Sequence, residues 1–280
     1  MKKYLPLCLS LLFLSYPNLW CMDPSMQEEP LPAALASLAD STPKAPFGTT
    51  EGGLSSSLSK RASEFKKKLA EYMDSSYEEE SEYEKEIARQ LEDVKKWLIE
   101  RVFQAIQAAT GKPLAIVLDI DETALSNWPS LATLFTDWES RASGDFGPLI
   151  AHIERHRPTF YAAAINPVLE VYNLAQELGI EVFFISGRPA TQNDATLVTL
   201  EKAGYKNVKP ENIICKTPEE MQPPRISNGE WKPIKRQDII NAGYTILLNI
   251  GDQKSDLNKG PNGEGAFERG IKLPNPFYEC

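Results

Sequence analysis

With 280 residues and 42% hydrophobic side chains, the chain can bury one large core, or a core with a cap over it. Its formal charge of −9 excludes general affinity for nucleic acid, which needs a basic face for the phosphate backbone. Any anionic ligand must therefore meet positive charge that the fold gathers locally.

Residues 1–22 read as an export signal. Lys2 and Lys3 precede an apolar stretch, Leu5 to Leu14, that is too short and too interrupted by Pro6 and Ser10 to span a membrane. The implied destination is outside the cytoplasm: periplasmic, cell-surface or secreted. Cys21 leaves a lipid anchor open as the one other membrane attachment. Of the four cysteines, Cys8 and Cys21 fall in or beside this segment. Cys215 and Cys280 remain, either as a disulfide or as two thiols.

Residues 23–60 are rich in Pro, Ser, Ala, Gly and acidic side chains without periodicity, and are expected to be a flexible linker. The folded unit then occupies 61–280. Helical spacing appears between Ser63 and Thr110, where Tyr83, Ile87, Leu91, Val94, Leu98, Val102 and Ile106 recur every three or four residues. Gly111 is expected to end that helix. The run Pro113 to Asp119 is apolar up to its last residue, as in a buried parallel strand.

The same grammar repeats along the chain. A helix opens at Asn166-Pro167, a strand follows at 181–186, a helix at about 191–203 and a short strand at 212–215. A helix from about Pro233 to Ala242 leads into a strand at 244–250, and 271–273 can add an edge strand. Alternating strands and helices imply an α/β fold: three layers around a mainly parallel sheet. Ligands in such folds bind beyond the carboxyl ends of the strands. Asp119 and Asp121, Ser186-Gly187-Arg188, and Gly251-Asp252 with Asp256 all stand there, while Lys232 precedes the last helix.

Asp119-Ile-Asp121 in extended geometry points both carboxylates the same way. An Asp at a strand end also serves as a helix cap; what makes the pair informative is Ser186, Lys232, Asp252 and Asp256 following in order. Clustered carboxylates about 4 Å apart repel by roughly 4 kcal/mol per pair at an effective dielectric near 20, so they call for a cation. An oxygen-only donor set points to Mg²⁺.

These residues resemble the haloacid dehalogenase (HAD) phosphatase superfamily. The match is to its acid phosphatase group, which includes bacterial class B and class C acid phosphatases and plant vegetative storage proteins. The resemblance lies in the run from Ile116 to Asn127, in Phe184 to Arg188, in Trp231-Lys232 with Arg236, and in Ala242 to Asp256. It implies a Rossmann-like core with a cap built from N-terminal helices, about 61–109, and an insertion after the first strand, about 126–165. It implies a Mg²⁺-dependent phosphomonoester hydrolase acting on small phosphate esters or nucleoside monophosphates, with an acidic pH optimum. The alternative is a storage or phosphate-ligand-binding protein on the same fold.

By the same resemblance Asp119 is the nucleophile and Asp121 the general acid and base. Ser186, Gly187 and Lys232 bind the phosphoryl group. The metal falls to Asp119, the Asp121 carbonyl, Asp252 and Asp256. Pro233 stands where the group carries a small hydroxyl residue, and Lys235 is an alternative to Lys232. Trp128 and Tyr161 are placed in the cap, either packing or stacking on a leaving group. His152 and His156 read as cap-surface residues.

Overall fold

The computed structural model describes residues 67, 70–74, 81–108, 111–129, 162–224 and 226–275. The expected signal, linker and most of the inserted cap segment, with Cys8, Cys21, His152, His156, Tyr161 and Cys280, lie outside these residues.

Helix α1 runs Glu82–Gln107. Ser81 starts it by accepting a hydrogen bond from the Glu84 N–H, which satisfies one of the donors that a helix start leaves unpaired. Tyr83, Ile87, Leu91, Val94, Leu98 and Val102 are buried, so the period of the stripe is as the sequence implied. Ile106 is not: it is 69% exposed in the last turn of the helix, which ends at Gln107, ahead of Gly111.

Strand β1 (Leu114–Leu118) leads to a two-stranded antiparallel ribbon, β2 (Leu125–Ser126) with β3 (Ala163–Ala164). Then follow α2 (Asn166–Glu177), β4 (Glu181–Pro189), α3 (Asn193–Lys202), β5 (Ile213–Lys216), α4 (Asn228–Asn241), β6 (Thr245–Gly251), α5 (Lys254–Leu257) and β7 (Arg269–Lys272). The five-stranded sheet has the order β5-β4-β1-β6-β7, and all its pairings are parallel.

The pleat sorts side chains onto two faces. Ile116, Leu118, Val182 and Phe184 point into one core with the buried stripe of α1, with Val168, Val171 and Tyr172 of α2 and with Leu200 of α3. Ala115, Val117, Phe183 and Ile185 point to the other face, against Trp231 and Ile239 of α4. A register shift between Ala115 and Ile116 against β6 inserts one residue, so Leu247 and Leu248 both reach the first face. Three layers result, as the alternation of elements implied, and the buried stripe of α1 packs in the main core.

The chain leaves β1 in one direction to build β4 and β5, then returns to place β6 and β7 on the other side. The carboxyl end of β1 therefore lies at the point where the strand order reverses, where the connections diverge and leave a crevice.

Candidate active site

Asp119 follows β1 and is anchored by its N–H, which donates to the Ile250 carbonyl of β6 at 2.9 Å. Asp252 follows β6 directly, and Asp256 sits on α5. All three are buried, and one carboxylate oxygen from each lies within 4.8 Å of the others. They form the one such group of metal-competent side chains among the described residues.

Gly251 is what lets this happen. A Cβ at that position would collide with the Asp256 carboxyl. The Asp256 backbone is fixed from the other side, since its carbonyl accepts from Asn249 Nδ2 and Arg236 Nη1, both at 2.7 Å. Its Oδ2 accepts the Gln253 N–H at 2.8 Å. Asp252 is held by Thr123 Oγ1 at 3.2 Å, Gln253 Nε2 at 3.1 Å and Asn275 Nδ2 at 2.5 Å.

Lys232 brings the positive charge. It is 4% exposed, and its Nζ donates to Asp119 Oδ1 at 2.6 Å and to Asp256 Oδ1. It does not precede its helix: α4 begins at Asn228, because Ser227 and Glu230 form a capping box. The Ser-x-x-Glu spacing was present in the sequence, and the cap outweighs Pro233 as a start signal. Lys235 does not compete for the cluster. It points elsewhere on α4, 2.8 Å from Glu220 and 3.9 Å from Asp238.

One ammonium against three carboxylates leaves two negative charges in a buried volume when all are ionised. Burial pushes the Asp119 carboxyl well above the usual range; Lys232 opposes this, and Asp256 and Asp252 add to it. Asp252 is pushed up to about 7 by burial and by the neighbouring Asp256 and Glu122. Lys232 is raised: burial works against its charge, but the two carboxylates outweigh it. Each carboxylate pair at 4 to 5 Å costs roughly 3 to 4 kcal/mol at an effective dielectric near 20. A divalent cation held by hard oxygen donors removes that cost, and the residues present fit one.

Asp121 lies outside the three-carboxylate group, although Asp119-Ile-Asp121 was expected to point both carboxylates the same way. The strand stops at Leu118, and the chain turns through Ile120 to Glu122, whose φ is 55°. The turn is closed by Leu125 N–H to Ile120 O at 2.8 Å and Glu122 N–H to Leu125 O at 2.7 Å. Asp121 thereby leaves the three-carboxylate group and meets Arg188 of β4, whose Nε and Nη2 donate to its two oxygens at 2.9 and 2.7 Å. Asn127 Nδ2 donates to Asp121 Oδ1 at 3.0 Å and to Glu122 Oε2 at 3.3 Å. Asn127, Glu122 and Arg188 are buried parts of the site to which sequence reasoning gave no role. The available signal was a charged residue at the end of an apolar strand.

Ser186 is buried within β4, which runs three residues beyond it, and its Oγ accepts the Arg188 N–H at 3.3 Å. Gly187 faces the Asn228 side chain at the start of α4, where a Cβ would fall 2.9 Å from Asn228 Nδ2. Trp128 is 7% exposed, and its Nε1 donates to Asp74 at 2.7 Å, so it is packed and hydrogen-bonded at the rim of the core. Cys215 is a buried free thiol whose pKa burial pushes up to about 12.

A family model, the HAD superfamily, subfamily IIIB (acid phosphatase), matches residues 57–280. The stem 28 kDa glycoprotein of Glycine max is 32% identical over 173 residues, 58% of this chain and 58% of that protein. Acid phosphatase 1 of Solanum lycopersicum is 27% identical over 162 residues, 58% of this chain and 57% of that one. The chain thus spans under three fifths of the length of these curated relatives. The structure of the class C acid phosphatase from Bacillus anthracis superposes with a TM-score of 0.54 at 23% identity, covering 79% of this chain and 86% of that one. That likeness bears on the fold.

Proposed function

Because the chain belongs to subfamily IIIB of the HAD superfamily, the acid phosphatases, we propose that it hydrolyses small phosphate monoesters, nucleoside monophosphates among them, through an aspartyl phosphate formed on Asp119. The observation that carries this reading is the buried Asp119 carboxylate, 2.6 Å from the Lys232 ammonium and within 4.8 Å of Asp252 and Asp256. A carboxylate needs a reason to be ionised in a buried place, and Lys232 supplies part of it.

Asp119, Asp252 and Asp256 would hold Mg²⁺, with the Asp121 carbonyl as a further donor. When bound, the ion neutralises charge on the cluster and on the phosphoryl oxygens. Lys232 then offsets charge on the transferring group, and Ser186 Oγ with the backbone at Gly187 positions it. Asp119 attacks phosphorus in line. Asp121 gives a proton to the leaving oxygen and later takes one from the water that releases phosphate. Residues 1–22 would direct export, with the mature protein recovered outside the cytoplasm.

The competing reading, a storage or ligand-binding protein on the same fold, would leave Asp119 idle. A chromogenic phosphate ester with Mg²⁺ separates them. We expect turnover that is lost on chelation and in Asp119→Asn; an inactive wild-type chain, or an active Asp119→Asn, would sink the proposal.

A further inference from the structure

Arg188 is an expensive residue to bury. It is 3% exposed at the end of β4, and all three of its guanidinium nitrogens are engaged. Nε and Nη2 take the two oxygens of Asp121, while Nη1 donates to Thr196 Oγ1 on α3 at 3.0 Å; Thr196 is itself 1% exposed. From the opposite side, Asn127 Nδ2 holds the same Asp121 Oδ1. A buried ion pair is a poor way to gain stability, because desolvation consumes most of its attraction. What a two-pronged guanidinium contact does give is direction: it fixes the plane of the carboxyl group.

Resting on the phosphatase reading above, we propose that Arg188 is a positioning residue that aims the Asp121 carboxyl at the leaving-group oxygen. As an Asp119 oxygen bonds to phosphorus, the bond from phosphorus to the leaving oxygen breaks, and that oxygen takes the bonding pair. The same oxygen receives the Asp121 proton, and the guanidinium faces the charge left behind. In the second half, Asp121 takes a proton from water as the water oxygen bonds to phosphorus. The bond from phosphorus to Asp119 breaks, and the carboxylate of Asp119 is restored. Thr196 keeps Arg188 from rotating out of this geometry.

A mispositioned acid matters most where the leaving group cannot depart without a proton. The test is therefore kcat/KM, which reports steps up to the first transfer, on p-nitrophenyl phosphate and on an alkyl phosphate such as glycerol phosphate. For Arg188→Lys, which keeps the charge and loses the fork, we expect the alkyl ester to lose roughly a hundredfold and the aryl ester less than tenfold. Thr196→Val should shift the same ratio in the same direction by a few-fold, in a protein whose thermal midpoint verifies that it is folded. Equal losses on both esters, or an Arg188→Lys enzyme with the wild-type ratio, overturn the inference while leaving the phosphatase reading intact. A wild-type chain that cleaves neither ester overturns both.

Discussion

Metal-free protein should lose stability as pH rises from 5 to 8, and Mg²⁺ should restore it. Asp252 has an ordinary value of 3.8 and stands at about 7 in the fold because it is buried beside Asp256 and Glu122. Between those values the folded chain keeps a proton that the unfolded chain has released. The stabilisation is therefore complete below pH 4 and lost as pH climbs through 7. The difference corresponds to up to about 4 kcal/mol, or roughly 8 to 16 °C in Tm for a domain of this size. Asp119 adds in the same direction. A divalent cation on the ionised cluster would reverse the sign, so the gain from Mg²⁺ should be small at pH 5 and largest at pH 8. Thermal unfolding with chelator and with Mg²⁺ at four pH values measures both, and Asp252→Asn isolates the one carboxyl by flattening the chelator curve. Parallel chelator curves for wild type and Asp252→Asn, or a Mg²⁺ gain greatest at pH 5, would refute the electrostatic reasoning.

Two further substitutions follow from the same cluster. Lys232→Met removes the ammonium and keeps much of the volume; it should cost about 3 to 5 kcal/mol without metal at pH 8, less with Mg²⁺, and lower kcat by roughly a hundredfold or more. Denaturant titration with and without Mg²⁺ alongside ester turnover checks this, and an equal cost in both conditions would count against it. Gly251→Ala places a methyl group against the Asp256 carboxyl. It should weaken Mg²⁺ affinity, measured by calorimetry, by at least tenfold while far-ultraviolet dichroism stays native; unchanged affinity would show that Asp256 is not a ligand.

The fold was legible wherever burial imposed a period. The stripe on α1 and the apolar run of β1 could be read because a buried helix face and a doubly covered strand leave few other patterns. The limits were local competitions. Ile106 continues the stripe's spacing but sits exposed in the helix's last turn, where a period alone does not say whether anything packs against it. Pro233 invited a helix start, whereas the side chains of Ser227 and Glu230 set it earlier and so turned Lys232 into a buried helical residue. Asp119, Asp252 and Asp256 were found because strand ends in a parallel sheet converge. The partner of Asp121 was not: Arg188 lies 67 residues away, and the pairing of β1 with β4 brings the two together. No spacing rule announces which guanidinium will face which carboxylate.

If the chain is a phosphatase of the proposed kind, the Asp119 carboxylate carries the phosphoryl group during turnover. Rapid acid quenching of the enzyme with a phosphate ester and Mg²⁺, followed by mass spectrometry of its peptides, tests that directly. The expected result is an added phosphoryl group on the peptide containing Asp119, absent in Asp119→Asn. Steady turnover with the phosphoryl group on a different residue would contradict it.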